Sequence, residues 1–111
     1  MNSDQAFDPE AFLALATRLL AHSKDEATLR TVISRAYYSA FLIVRGRLGK
    51  RRMFHAEIWA AIEERDTSLG GIGNRLRQMR NAADYGDAIP DLEKEAAICI
   101  RRANVLLARV K

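Results

Sequence analysis

One cysteine, two prolines and two histidines are all that 111 residues contain of these types, and each scarcity closes off a class of protein. Cys99 alone can form no internal disulfide, and a single thiol fits a reducing, cytoplasmic setting. Cys99, His22 and His55 stand far apart, with no Cys-x-x-Cys or His-Glu-x-x-His spacing, so neither a metal centre nor a cofactor is expected. There is no Gly-x-Ser-x-Gly elbow and no strand pattern to carry one. The string Gly70-Gly71-Ile72-Gly73 lacks the Lys-Ser/Thr of a phosphate loop and has no strand before it. No apolar run approaches the ~18 residues needed to cross a bilayer. The opening Met1-Asn2-Ser3-Asp4-Gln5 is polar and acidic, unlike a secretory signal.

What is present reads as a soluble globular domain. The hydrophobic fraction is 49% and the charged fraction 29%, and the length supports one domain, 1–111, with one core. A net charge of +4 and a pI near 9.6 favour polyanionic partners without specifying one. Charge is unevenly placed: Arg45, Arg47, Lys50, Arg51 and Arg52 crowd one short stretch, while Asp4, Asp8 and Glu10 lie near the start.

Periodicity predicts five helices and no strand. Asp8 before Pro9 is a cap followed by proline at the first helical position, and Phe12, Leu15, Ala16, Leu19 and Leu20 carry the first helix to about Ala21. His22 falls where that helix ends, where a cationic ring suits the dipole. Ser23 and Glu26 have the spacing of a capping box, opening a long helix from about Asp25 to Leu48 that Gly49 stops. Apolar residues cover most of its circumference, which marks it as central. A basic link, Gly49 to Phe54, leads to a third helix over about His55–Arg65, with Ile58, Trp59 and Ile62 inward. Asp66–Gly71 reads as a turn, and a fourth helix is expected from about Ile72 to Ala88. Pro90 punctuates before a fifth, Asp91 to Val110, whose Leu92, Ala96, Cys99, Ala103, Leu106 and Val110 form a packing seam. Cys99 within that seam reads as a small core hydrophobe. The expected fold is all-α, a compact five-helix bundle of up-and-down architecture.

The fourth helix carries the densest chemistry, Arg80-Asn81-Ala82-Ala83-Asp84-Tyr85-Gly86-Asp87. At helical spacing Asp87, Arg80, Asp84, Arg77 and Asn81 share one face, beside a packing face that includes Leu76, Met79 and Ala83. Arg80 and Asp84 have the i,i+4 spacing of a surface ion pair. In the basic link, Arg51 and Arg52 read equally as a solvated loop or as phosphate contacts. His55 reads as a packed or capping histidine or as a site residue.

Two segments together are similar to the HEPN superfamily (higher eukaryotes and prokaryotes nucleotide-binding domains), in particular its small stand-alone prokaryotic branch. They are Ser34-Arg35-Ala36-Tyr37-Tyr38-Ser39-Ala40-Phe41 on the long helix and Leu76-x-x-Met79-Arg80-Asn81-Ala82-Ala83-Asp84-Tyr85 on the fourth, with His55 between. The match in order and spacing runs from about Thr31 to Asp87. The resemblance implies a five-helix bundle that forms a homodimer, with the Arg-containing motifs of two copies facing across a cleft. It also suggests a nucleotidyltransferase-type partner protein in a toxin–antitoxin or defence system. Catalytic members are metal-independent ribonucleases whose motif is Arg, four to six residues, then His. Arg80 and Asn81 match its start, but the histidine positions hold Tyr85, Gly86 and Asp87. Imidazole is the group suited to proton transfer near neutral pH, so the motif is degenerate.

Three readings follow. In one, the domain binds RNA, a nucleotide or a partner protein without cleaving it, through Arg35, Tyr38 and Arg77 with Arg51 and Arg52. In another it is an endoribonuclease, with Arg80 stabilising charge, Asn81 orienting phosphate, and Asp84, Tyr85 or His55 handling protons. In the third it is a structural interaction module, where Arg80 and Asp84 hold two helices together through Arg35 and Tyr38.

Overall fold

The computed structural model describes residues 7–49 and 54–110, and among these it contains five α-helices and no strand. They are α1 (Glu10–His22), α2 (Glu26–Leu48), α3 (His55–Arg65), α4 (Thr67–Tyr85) and α5 (Leu92–Val110). None is long and apolar enough to cross a membrane. The basic link residues Arg51 and Arg52 lie outside the described residues.

α2 is the axle of the bundle, touching α1, α3, α4 and α5. Its Val32, Ile33, Ala36, Tyr37, Ala40 and Val44 are fully buried. The nearly all-round apolar surface of this helix is thus consumed within one copy of the chain. α5 packs on it through Ala96, Cys99, Ala103 and Leu106, the expected seam. Burial pushes the Cys99 thiol up to about 12, so it behaves as a hydrophobe.

Helix ends follow side-chain chemistry, with three departures from the sequence reading. Asp8 does cap α1: its Oδ1 accepts from Glu10 N at 3.0 Å. At α2, however, the cap is Asp25 and not Ser23. Asp25 Oδ1 accepts from Thr28 N at 2.8 Å, Oδ2 accepts from Thr28 Oγ1, and Ser23 Oγ also donates to Oδ2. These bonds hold the Asp25 carboxyl below the usual carboxylate range. Glu26, released from capping, pairs with Arg30 at 3.0 Å.

The second departure is at Asp66–Gly71, where all but the capping Asp66 is helix rather than turn. Asp66 closes α3 by donating its N–H to Ile62 O and opens α4 by accepting from Leu69 N through Oδ1. The glycines behind it serve close approach. A Cβ on Gly70 would lie 2.5 Å from Glu63 Cβ, and one on Gly73 would lie 2.1 Å from Trp59 Cε3. α3 and α4 therefore form an antiparallel hairpin pressed together over Gly70 and Gly73.

The third is that α4 stops at Tyr85, three residues early. Gly86 takes a left-handed φ of 81°, and the N–H groups of Gly86 and Asp87 both bond to Ala82 O. Asp87 therefore leaves the polar face assigned to it. Arg30 of α2 then clamps the helix end, with Nη1 donating to Ala82 O and Ala83 O, and Nη2 to Asp87 O at 2.8 Å. Arg30→Ala strips these carbonyls of a charged donor and is expected to cost about 1–3 kcal/mol. Thermal or urea unfolding would measure this, and an unchanged midpoint would show that the clamp carries no stability.

Candidate functional site

The clamp fixes α4 antiparallel against α2, which brings the middle of α4 over the tyrosine pair of α2. Arg80 leans across this seam with its side chain only 11% exposed. Its guanidinium lies over the rings of Tyr37 (5.2 Å to the centroid) and Tyr38 (5.3 Å). Nη1 reaches Asp84 Oδ2 at 3.7 Å, too long for a strong bond. Its buried Nε has no hydrogen-bond partner among the described residues. A buried, unsatisfied guanidinium nitrogen is costly, so this arginine is held in a position that does not serve its own solvation.

α3 supplies the third wall. His55, its first residue, lies flat on Phe41 with centroids 3.9 Å apart and rings 9° from parallel. Tyr38 meets it edge-on at 6.0 Å. Phe54 N donates to Glu57 Oε1 at 3.0 Å, which fixes the start of the helix and hence the ring's position. Beneath lies a polar chain in the core: Trp59 Nε1 donates to Tyr37 Oη at 3.1 Å, and Tyr37 Oη lies 2.6 Å from His55 Nδ1.

Electrostatics at this spot are strongly positive. Burial first, then the charges of Arg80, Arg77 and Arg45, hold the His55 imidazolium pKa below its ordinary value. Burial raises the Tyr37 phenol, offset in part by its bond from Trp59 and by Arg80 and Arg77. Arg45 sits over Phe41 at 5.3 Å, and Arg35 over Phe12 at 4.7 Å and Tyr38 at 5.4 Å. Three guanidinium groups, those of Arg80, Arg45 and Arg35, thus lie over the rings of Tyr37, Tyr38, Phe41 and Phe12, and Asp84 pairs with Arg80. A shallow hollow of about 350 Å³ opens beside them, lined by Arg30, Thr31, Ser34, Arg35, Ala83 and Asp84.

The site residues read from the sequence separate accordingly. Arg80, Asp84, His55, Tyr38, Arg77 and Arg35 come together at the α2–α3–α4 junction. Asn81 is half-buried on α4 outside these contacts. Tyr85, 74% exposed at the last residue of α4, stands apart from the cluster. The sequence reading missed Tyr37, Phe41 and Arg30. The first two looked like ordinary apolar positions of a central helix, and only their clustering with Tyr38 in one stretch hinted otherwise.

Among the described residues no group of three or more His, Cys, Asp or Glu could hold a metal ion. Comparison with protein-family models, curated proteins and solved structures finds no match.

Proposed function

We propose that this chain is a HEPN-like domain whose α2–α3–α4 face binds single-stranded RNA. The observation that carries this reading is the seating of Arg80 over Tyr37 and Tyr38 and of Arg45 over Phe41, where His55 stacks flat on Phe41 and meets Tyr38 edge-on. Guanidinium forks suit phosphate oxygens, and the part-exposed rings of His55 and Tyr38 at the same place suit contact with a base. Arg80, its side chain only 11% exposed, is already largely desolvated, so an anion meeting its exposed edge gains a charge-assisted contact in a sheltered position. On the same reading a second copy completes the cleft along α4.

Binding should be strongly salt-dependent. If three arginines neutralise phosphates, log K against log salt falls with a slope of roughly −2 for a single strand. Fluorescence anisotropy of a labelled short RNA over a salt series measures it. Retention that ignores salt would reject the phosphate contacts.

One observation favours a second reading, that of a ribonuclease: His55, absent from the degenerate motif in sequence, packs on the same tyrosine pair, Tyr37 and Tyr38, as Arg80. Cleavage of RNA in the presence of a chelator, lost in His55→Gln, is its expected mark.

A further inference from the structure

We propose that Trp59 and Tyr37 lock His55 in the neutral form that carries its proton on Nε2, making it a hydrogen-bond donor to bound RNA rather than a proton acceptor. The inference rests on the RNA-binding reading and says which chemistry that site performs.

Indole Nε1 can only donate, so the 3.1 Å contact from Trp59 occupies a lone pair of Tyr37 Oη. The hydroxyl hydrogen must then point elsewhere. Tyr37 is fully buried, and the other polar contact of its oxygen among the described residues is His55 Nδ1 at 2.6 Å. An O–H donated to Nδ1 satisfies every member of the chain. A proton on Nδ1 would instead turn both neighbours of Oη into donors and leave the phenol hydrogen buried without an acceptor. Nδ1 is therefore the bare nitrogen, and the ring's proton sits on Nε2.

Nε2 lies on the side of the ring away from the buried hydroxyl, and His55 itself is only part-buried. Among the described residues, the groups facing this ring are Tyr37, Tyr38, Phe41 and Arg45 from α2 and Arg77 and Arg80 from α4. All of the ionised ones are cationic, and they resist a further positive charge on the imidazole just as the relay does. A neutral N–H among three guanidinium groups suits a phosphate oxygen or a base carbonyl. To act as a base at Nε2 the ring would have to shift its proton to Nδ1, which the relay opposes. Tyr37 and Trp59 are thus positioning residues, and the geometry favours holding RNA over cutting it.

The test is nitrogen-15 NMR of the two ring nitrogens of His55, made on the wild-type chain alone and with a short single-stranded RNA. Its pH series should run through the ordinary imidazole range near about 6.5. The expected result is a bare Nδ1 and a protonated Nε2 at neutral pH in both states, with the Nε2 signal shifting when RNA is added. Tyr37→Phe keeps the ring but removes the relay; it should mix the two tautomers, raise the pH at which His55 protonates and make RNA affinity vary with pH. A proton on Nδ1, or an imidazolium at neutral pH, in the wild-type chain overturns the proposal even if RNA binds. An Nε2 signal indifferent to RNA that anisotropy shows to be bound overturns the donor role. Absence of any RNA complex by anisotropy sinks the RNA-binding reading, and with it the donor role, while leaving the tautomer as measured.

Discussion

Trp59→Ala is expected to remove about 3–5 kcal/mol of stability, the range for deleting a fully buried large aromatic. For a single domain whose total is about 5–15 kcal/mol this approaches unfolding at body temperature. The midpoint of thermal unfolding should fall by more than about 10 °C, at roughly 4 °C or more per kcal/mol. Two losses combine: the indole leaves a cavity between α2, α3 and α4, and Tyr37 Oη loses its donor. Gly73 gives this prediction a sharper form. In the wild-type background Gly73→Ala drives a methyl to 2.1 Å from the indole and should cost about 1–3 kcal/mol through overpacking. In the Trp59→Ala background the same methyl enters vacated space and gains helix propensity worth about 1 kcal/mol. The substitution should therefore change sign, from destabilising to stabilising, between the two backgrounds. Urea titration of the four proteins in the cycle would read it. Additive effects would mean that α3 and α4 are not pressed together at this point.

Glycine explains why the fold was only partly legible in the sequence. Gly49 and Gly86 end helices with left-handed φ, which is the role local sequence suggests for a glycine. Gly70 and Gly73 carry the same local signature, yet they lie inside a helix because α3 needs their missing side chains. That requirement resides in Glu63 and Trp59 across a helix pair. Spacing could have announced it, since glycines three apart share a helix face, but Gly70, beside Asp66 and Ser68, read as a turn, and only Gly73 fell within the expected helix. Arg30 is the harder case: the carbonyls it clamps lie 52 residues or more along the chain, and nothing local distinguishes it from a surface arginine paired with Glu26. What periodicity did expose was the apolar stripe of each helix and hence the five-helix, all-α architecture. It also placed Arg80 and Asp84 one turn apart on one face, as found. It could not show that Tyr37, counted among apolar positions, joins Trp59 and His55 in one hydrogen-bonded chain, because that depends on where the α3 start lands against α2.

Arg80→Met should cut affinity for single-stranded RNA tenfold or more while changing stability by less than about 1 kcal/mol, a separation that decides between a binding face and a structural strut. Methionine keeps most of the apolar stem that packs on Tyr37 and Tyr38, and it removes the charge. Stability has little to lose, because the Asp84 contact is long and part-exposed and the buried Nε makes no hydrogen bond among the described residues. Replacing a poorly satisfied buried charge with a hydrophobe is often neutral or better. Binding has much to lose: a charge-assisted contact to phosphate is worth about 1.5–3 kcal/mol, which is roughly 10- to 150-fold in affinity. Arg80→Lys refines the result. An ammonium keeps the charge, so the salt dependence should survive, but it has neither the planar face that covers two tyrosine rings nor the fork that grips two oxygens. Its affinity should fall between wild type and methionine. If Arg80 instead served only to join α2 to α4, methionine would lower the unfolding midpoint and leave RNA retention where it was. Unfolding curves and anisotropy on the same three samples discriminate the two outcomes, since each reading predicts no change in the quantity that the other predicts will move.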